Sequence, residues 1–242
     1  MRHLNLRALL SLARRAVWLV CVVPFVASVV AGQGTPQDQP QNTDKRILGI
    51  IPNYRTSPNL VNYEPLSATA KFKVASQDAF DRGTFILAGL FAGEAQLMND
   101  NRAFGQGGAG FGRYYGAAYG DLLIGDYMTE AVLPTFLHQD PRYFRRGVGS
   151  TRSRLGYAIG QIFWTHADSG GTQFNYSEVL GNSTAVAIST AYYRDNRDAG
   201  DALAKLGIQL GVDMASNVMK EFWPDILWKL QNKQHQKGDT AK

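Results

Sequence analysis

From Ser67 onward the apolar positions fall three and four residues apart, and no two-residue alternation runs long enough to propose a strand. The spacing predicts a first helix capped by Ser67, with Phe72, Ala75, Ala79 and Phe80 on one face, broken at Asp81-Arg82-Gly83. The second helix, TFILAGLFAGEAQLM from Thr84 to Met98, is apolar nearly all round, which predicts burial on every side. After the loop NDNRAFGQGG, a third helix is expected from Ala109 to Leu137, bending near Pro134. Ser150 or Thr151 opens a fourth that ends near His166. Asn175 followed by Glu178 has the form of a capping box for a fifth, reaching Tyr193. A sixth covers Asp201 to Phe222, and Pro224 suits the first turn of a short last helix. The pattern predicts an all-α chain, a compact bundle of about six to seven helices.

Glycine interrupts this pattern with a rhythm of its own. Gly108, Gly112, Gly116 and Gly120 stand four apart inside the third helix, at a cost of roughly 0.5–1 kcal/mol each relative to alanine. An i±4 ridge without side chains is a groove, into which a neighbouring helix can press its backbone. Gly89/Gly93, Gly156/Gly160, Gly181/Ala185/Ser189 and Gly207/Gly211/Ala215 repeat the spacing on four other helices. The expectation is a bundle held by small-xxx-small, glycine-zipper-like seams, with Gly116→Leu costing more than about 2 kcal/mol through overpacking.

The N-terminus changes how the charge is read. Arg2, Arg7, Arg14 and Arg15 precede the apolar run Ala16–Val30, which ends in small residues at Val29 and Ala31. That order is a secretory signal peptide over residues 1–31, and Pro24 with the shortness of the run opposes a spanning anchor. Removing its four arginines from the 25 basic residues leaves 21 against 20 acids, so the formal charge of +5 gives no argument for nucleic acid. Cys21, the one cysteine, goes with the signal, and the mature chain has to hold together by packing alone. Residues 32–46 read as a disordered polar linker, 47–66 as an extended Pro-containing segment, 67–230 as the helical domain and 231–242 as a flexible basic tail.

Two sets of residues could carry chemistry. His138-x-Asp140 and His166-x-Asp168 each follow a predicted helix, where imidazole and carboxylate could serve one metal or form a base with its orienting acid. Histidine is also favoured at helix C-termini by the dipole, which accounts for the same pattern without chemistry. Asp126/Glu130, Glu178 and Asp213/Glu221 sit at helical spacing and could converge on a divalent cation inside the bundle. Alternatively Arg113, Arg142, Arg145, Arg146 and Lys220 pair with them, the reading favoured here, with no metal and no cofactor. Aromatic residues interleave with basic ones in PRYFRRG and EFWPDILWKL, a composition that suits a headgroup surface.

KRILGIIPNYRT, LHQDPRYFRRG and KEFWPDI resemble stretches of a group of exported bacterial proteins of unknown function. The resemblance implies export and a single domain, and implies no activity. The sequence therefore points to an exported, periplasmic or envelope protein with a structural or binding role at a membrane surface or protein partner. Catalysis is not expected. A metal-assisted hydrolase built on the two His-x-Asp loops and a glycine-zipper oligomer inserted in a membrane are the alternatives.

Overall fold

Ser67 begins the helical body as its position predicts. Its hydroxyl accepts the Ala70 N–H at 3.2 Å and opens helix α1, Ala68–Ala79. Asp81 caps helix α2, Arg82–Leu97, by accepting the Gly83 N–H at 2.7 Å. After a 3₁₀ turn at Arg102–Phe104, α3 runs over Gly107–Asp126. It passes without a break into a π-helical stretch, Tyr127–Val132, and a last turn α4, Leu133–Phe136. The widening falls immediately before Pro134, which has no N–H to donate and whose ring crowds the carbonyl four residues back. Ser150 caps α5, Thr151–Gly160, and Asn175 caps α6, Tyr176–Ser189, through the Glu178 N–H at 3.1 Å. Helix α7 spans Ala199–Asp239. This computed structural model describes residues 46–47, 51–57, 63–193, 195 and 198–239; the expected signal peptide and residues 32–45 of the linker lie outside the described residues.

Three departures from the expected helices have local causes. Short strands are present: β1 Arg46–Ile47 pairs antiparallel with β2 Ile51–Pro52, and β3 Thr56–Ser57 pairs parallel with β4 Tyr143–Phe144. The fourth helix stops at Gly160, because Trp164–His166 forms β5 and pairs antiparallel with β6, Thr172–Phe174. These are aromatic and β-branched residues that favour extended backbone, and Gly170 turns between them at φ +95°. The sixth and seventh helices are one, since Pro224 lies inside α7, and the helix continues through residues expected to be a tail.

The packing is inverted in polarity. Small alanines (Ala75, Ala79, Ala88, Ala92, Ala131, Ala158) are fully covered where helices meet, and charged side chains are buried among them. The all-apolar α2 is not buried on every side. Ile86, Leu90 and Leu97 form its outer stripe and remain 46%, 60% and 86% exposed. Its inner face meets α3, where Tyr119 stacks on Phe85 at 4.9 Å and the Tyr115 hydroxyl donates to the Phe85 carbonyl at 3.2 Å. Satisfying one neighbour leaves the opposite side of so apolar a helix facing outward.

The glycine seams are corrected by the same orientation. A Cβ placed on Gly108, Gly112, Gly116, Gly156, Gly160 or Gly207 meets no atom within 4 Å among the described residues, and Gly120 meets only the Tyr192 hydroxyl at 3.8 Å. Gly211, one helical turn after the exposed Gly207 on α7, is half-buried. Gly108, Gly112 and Gly116 point away from the buried side of α3, which carries Gly110, Tyr114 and Ala117. The close approach occurs at other glycines. A Cβ on Gly181 would stand 2.7 Å from Thr129 Cγ2 and 3.1 Å from that residue's N and Cα; on Gly110 it would strike the Gly105 carbonyl oxygen. Tyr115 reaches to α2, 3.7 Å from a Cβ on Gly89.

Candidate functional site

Five helical elements and the segment before β3 bring charged side chains to one partly open cavity of about 240 Å³. Asp78 comes from α1, Asp126 from the end of α3, Glu130 from the π-helical stretch, Glu178 from α6, and Asp213 and Lys220 from α7. Arg55, immediately before β3, reaches in between them. The β3–β4 pairing holds it there: its Nε donates to the Pro141 carbonyl at 2.9 Å, beside the strand that follows. Its Nη1 then meets Glu130 at 3.2 Å and its Nη2 meets Glu178 at 3.5 Å. Asn182, one turn after Glu178, donates its Nδ2 to Glu178 Oε1 at 3.2 Å and Asp213 Oδ2 at 3.1 Å.

The carboxyls outnumber the cations, and they meet in pairs. Asp78 and Glu130 stand within hydrogen-bonding reach of each other, as do Glu178 and Asp213. Asp78 Oδ1 and Glu130 Oε2 are both buried and receive no donor among the described residues. Burial, followed by the charge of neighbouring carboxylates, pushes Asp126, Glu130 and Asp213 well above the usual carboxylate range. Burial raises Asp78 in the same direction against the pull of Lys220 and Arg55. Burial would lower Arg55, but Glu130 and Glu178 reverse that and hold it protonated. Lys220 is lowered, first by burial and then by Arg55.

The two His-x-Asp loops do lie side by side. Gln139 bridges Ala167 antiparallel, the Asp140 N–H donates to the His166 carbonyl at 2.8 Å, and the Asp168 N–H donates to the His138 carbonyl at 2.9 Å. Their carboxylates are engaged by cations, however. Arg142 grips Asp140 from Nε and Nη2 at 3.0 and 2.6 Å, while the Tyr63 hydroxyl donates to it at 3.0 Å. Asp168 holds the buried Lys71 ammonium at 2.9 and 2.7 Å. His138 is exposed at φ +51°, 4.0 Å from Asp168. His166 packs edge-on against Phe144 at 4.9 Å, and burial lowers its pKa. Neither aspartate orients an imidazole as a catalytic acid would. Among the described residues no group of three or more His, Cys, Asp or Glu is placed to hold a metal ion.

Of the helix-spaced carboxylates, Asp126, Glu130, Glu178 and Asp213 share the cavity and Glu221 does not. Glu221 closes a separate network between α5 and α7, accepting from the Tyr143 hydroxyl at 2.8 Å, the Arg146 and Gly147 N–H groups at 3.0 and 2.9 Å, and Arg154 Nε at 2.7 Å. Every oxygen there is answered, so the network is structural. Sequence reasoning missed Arg55 and Asp78. It named Lys220 only as a pairing partner, although Lys220 lies seven residues, two helical turns, after Asp213 and so shares its face. Compared with known proteins, the chain matches no family model, no curated relative and no solved structure.

Proposed function

We propose that this chain is an exported envelope protein that docks on an anionic membrane surface through helices α1–α3 and serves there by binding. The supporting observation is the outward apolar stripe of α2, Ile86, Leu90 and Leu97, continued by Phe80, Met98 and Phe111 on the adjoining elements. Over residues 68–126 the exposed charged side chains are Lys73, Arg82, Arg102 and Arg113, all basic. Glu94, four residues after Leu90, is half-buried, and the exposed apolar and exposed basic side chains together are complementary to anionic headgroups above acyl chains. Each basic residue near such a surface contributes about 1 kcal/mol, and each large side chain removed from water about 1–2 kcal/mol. No helix among the described residues is long and apolar enough to cross a bilayer, so the stripe is read as lying at the surface. The leader-like residues 1–31 support export.

Flotation with vesicles tests this. The mature chain should float with vesicles containing phosphatidylglycerol, far less with phosphatidylcholine alone, and partly dissociate in high salt. The double substitution Leu90→Glu and Leu97→Glu should weaken binding by at least about tenfold without changing the circular dichroism. Binding that is indifferent to both lipid charge and these substitutions overturns the proposal. The bare outward ridge of Gly108, Gly112 and Gly116 beside Phe111 favours a second reading, in which copies of the chain meet through that groove. Sedimentation without lipid distinguishes it: a dimer broken by Gly112→Leu supports the groove, and a monomer removes it.

A further inference from the structure

We infer that the partly open cavity between α1, α3, α6 and α7 is a binding site for a small alkylammonium ligand. The first ground is charge. Asp78, Asp126, Glu130, Glu178 and Asp213 face Arg55 and Lys220 alone, since Asp140 and Arg142 at one end of the cavity satisfy each other. The second is the set of groups left without partners. Glu130 is 2% exposed, yet its Oε2 and the buried Asp78 Oδ1 receive no donor, and the Asp126 carboxylate takes no hydrogen bond among the described residues. Each is an acceptor at the cavity wall, and an ammonium group offers three donors with a compensating charge.

The rest of the cavity fits the other half of such a ligand. Leu87, Phe91, Leu122, Val212 and Met219 also line it, and a chain of methylenes would pack against them. A cavity of about 150 Å³ holds a benzene ring. The 240 Å³ here therefore has room for roughly six to ten non-hydrogen atoms. Protons are the competing occupants. Burial favours the protonated form of Asp126, Glu130 and Asp213, so an incoming ammonium competes with protons and affinity rises with pH. Lys220, 5% exposed and with no hydrogen bond or ion pair among the described residues, is the like charge that limits affinity.

Isothermal titration of the full mature chain with 1,4-diaminobutane tests this, with 1,4-butanediol and succinate as the neutral and anionic controls of matched length. The diamine alone should bind saturably, with an apparent heat that changes between buffers of different ionisation enthalpy because protons leave. Asp126→Asn should weaken it at least about tenfold, and Lys220→Met should tighten it. Asp213→Asn repeats the first arm should the Asp126 variant fail to fold, and the wild-type comparison of the three ligands needs no variant. No diamine binding at mildly alkaline pH overturns the inference. So does binding that Asp126→Asn and Asp213→Asn both leave unchanged, which places it on the outer surface. Succinate binding abolished by Lys220→Met also overturns it, because the cavity would then receive anions. None of these outcomes depends on whether the chain floats with vesicles.

Discussion

Two glycine-to-alanine substitutions should move stability in opposite directions. At Gly181 the new methyl group would stand 2.7 Å from Thr129 Cγ2 and 3.1 Å from Thr129 N and Cα. The side chain cannot simply swing aside, because its hydroxyl donates to the Gly125 carbonyl at 3.0 Å and the residue is buried. The backbone contacts cannot yield without moving the π-helical stretch. Overpacking of this kind costs about 1–3 kcal/mol, against about 1 kcal/mol gained from the helix propensity of alanine. Gly181→Ala should therefore lose up to about 2 kcal/mol. At Gly116 the methyl group meets nothing within 4 Å, and only the propensity gain of about 0.5–1 kcal/mol remains. The two variants should differ by about 2 kcal/mol, or roughly 4–8 °C in Tm for a domain of this size. Urea unfolding followed by far-ultraviolet circular dichroism reads the difference directly. A Gly116→Ala protein less stable than the parent, or a Gly181→Ala protein at least as stable, would refute the assignment of which glycines are in contact. The overpacking penalty of more than about 2 kcal/mol anticipated for Gly116→Leu from spacing should likewise be absent.

Stability should fall as pH rises from about 4 toward neutrality. Asp126, Glu130 and Asp213 have folded-state pKa values well above those of the unfolded chain, so between the two values the folded state binds more protons. Lys220, lowered on folding, acts with the opposite sign at higher pH, between its folded value and about 10.4. Urea midpoints across the acidic-to-neutral range should decline, and Asp126→Asn should flatten the decline; a steady rise contradicts the buried-carboxyl account. Asp168→Asn should destabilise by about 3–5 kcal/mol, because it strips the carboxylate from the buried Lys71 ammonium. Chemical denaturation that shows no change would return Asp168 to the catalytic candidates.

The helices were legible because their signals are local. Ser67, Asn175 and Ser150 cap where side-chain chemistry alone says they should. The carboxylates at helical spacing also converge, four of five, because residues on one face of a helix stay together whatever that face meets. Which face turns inward was not legible. A ridge of glycines and a stripe of leucines look equally suited to an interior, and the decision rests with residues far away in the chain. Arg55 illustrates the point: it lies in a Pro-rich segment with no periodicity, and reaches the cavity only because β3 pairs with a strand eighty-odd residues on. Its partners are Glu130 on the π-helical stretch and Glu178 on α6, elements that face the charged cavity. The strand pair Trp164–His166 and Thr172–Phe174 was hidden for a different reason, being three residues long on each side and shorter than any alternation that could be scored.

The outward-facing stripe can be probed at a single position. With Cys21, the one cysteine, replaced by serine, Leu90→Cys accepts a nitroxide spin label, and its collisions with oxygen and with a water-soluble nickel complex report whether it sits in acyl chains or in water. Adding phosphatidylglycerol vesicles should raise the oxygen collision rate and lower the nickel rate at position 90, and should leave a label at the exposed Ser169 unchanged. Equal rates with and without vesicles at position 90 would contradict a membrane-facing α2.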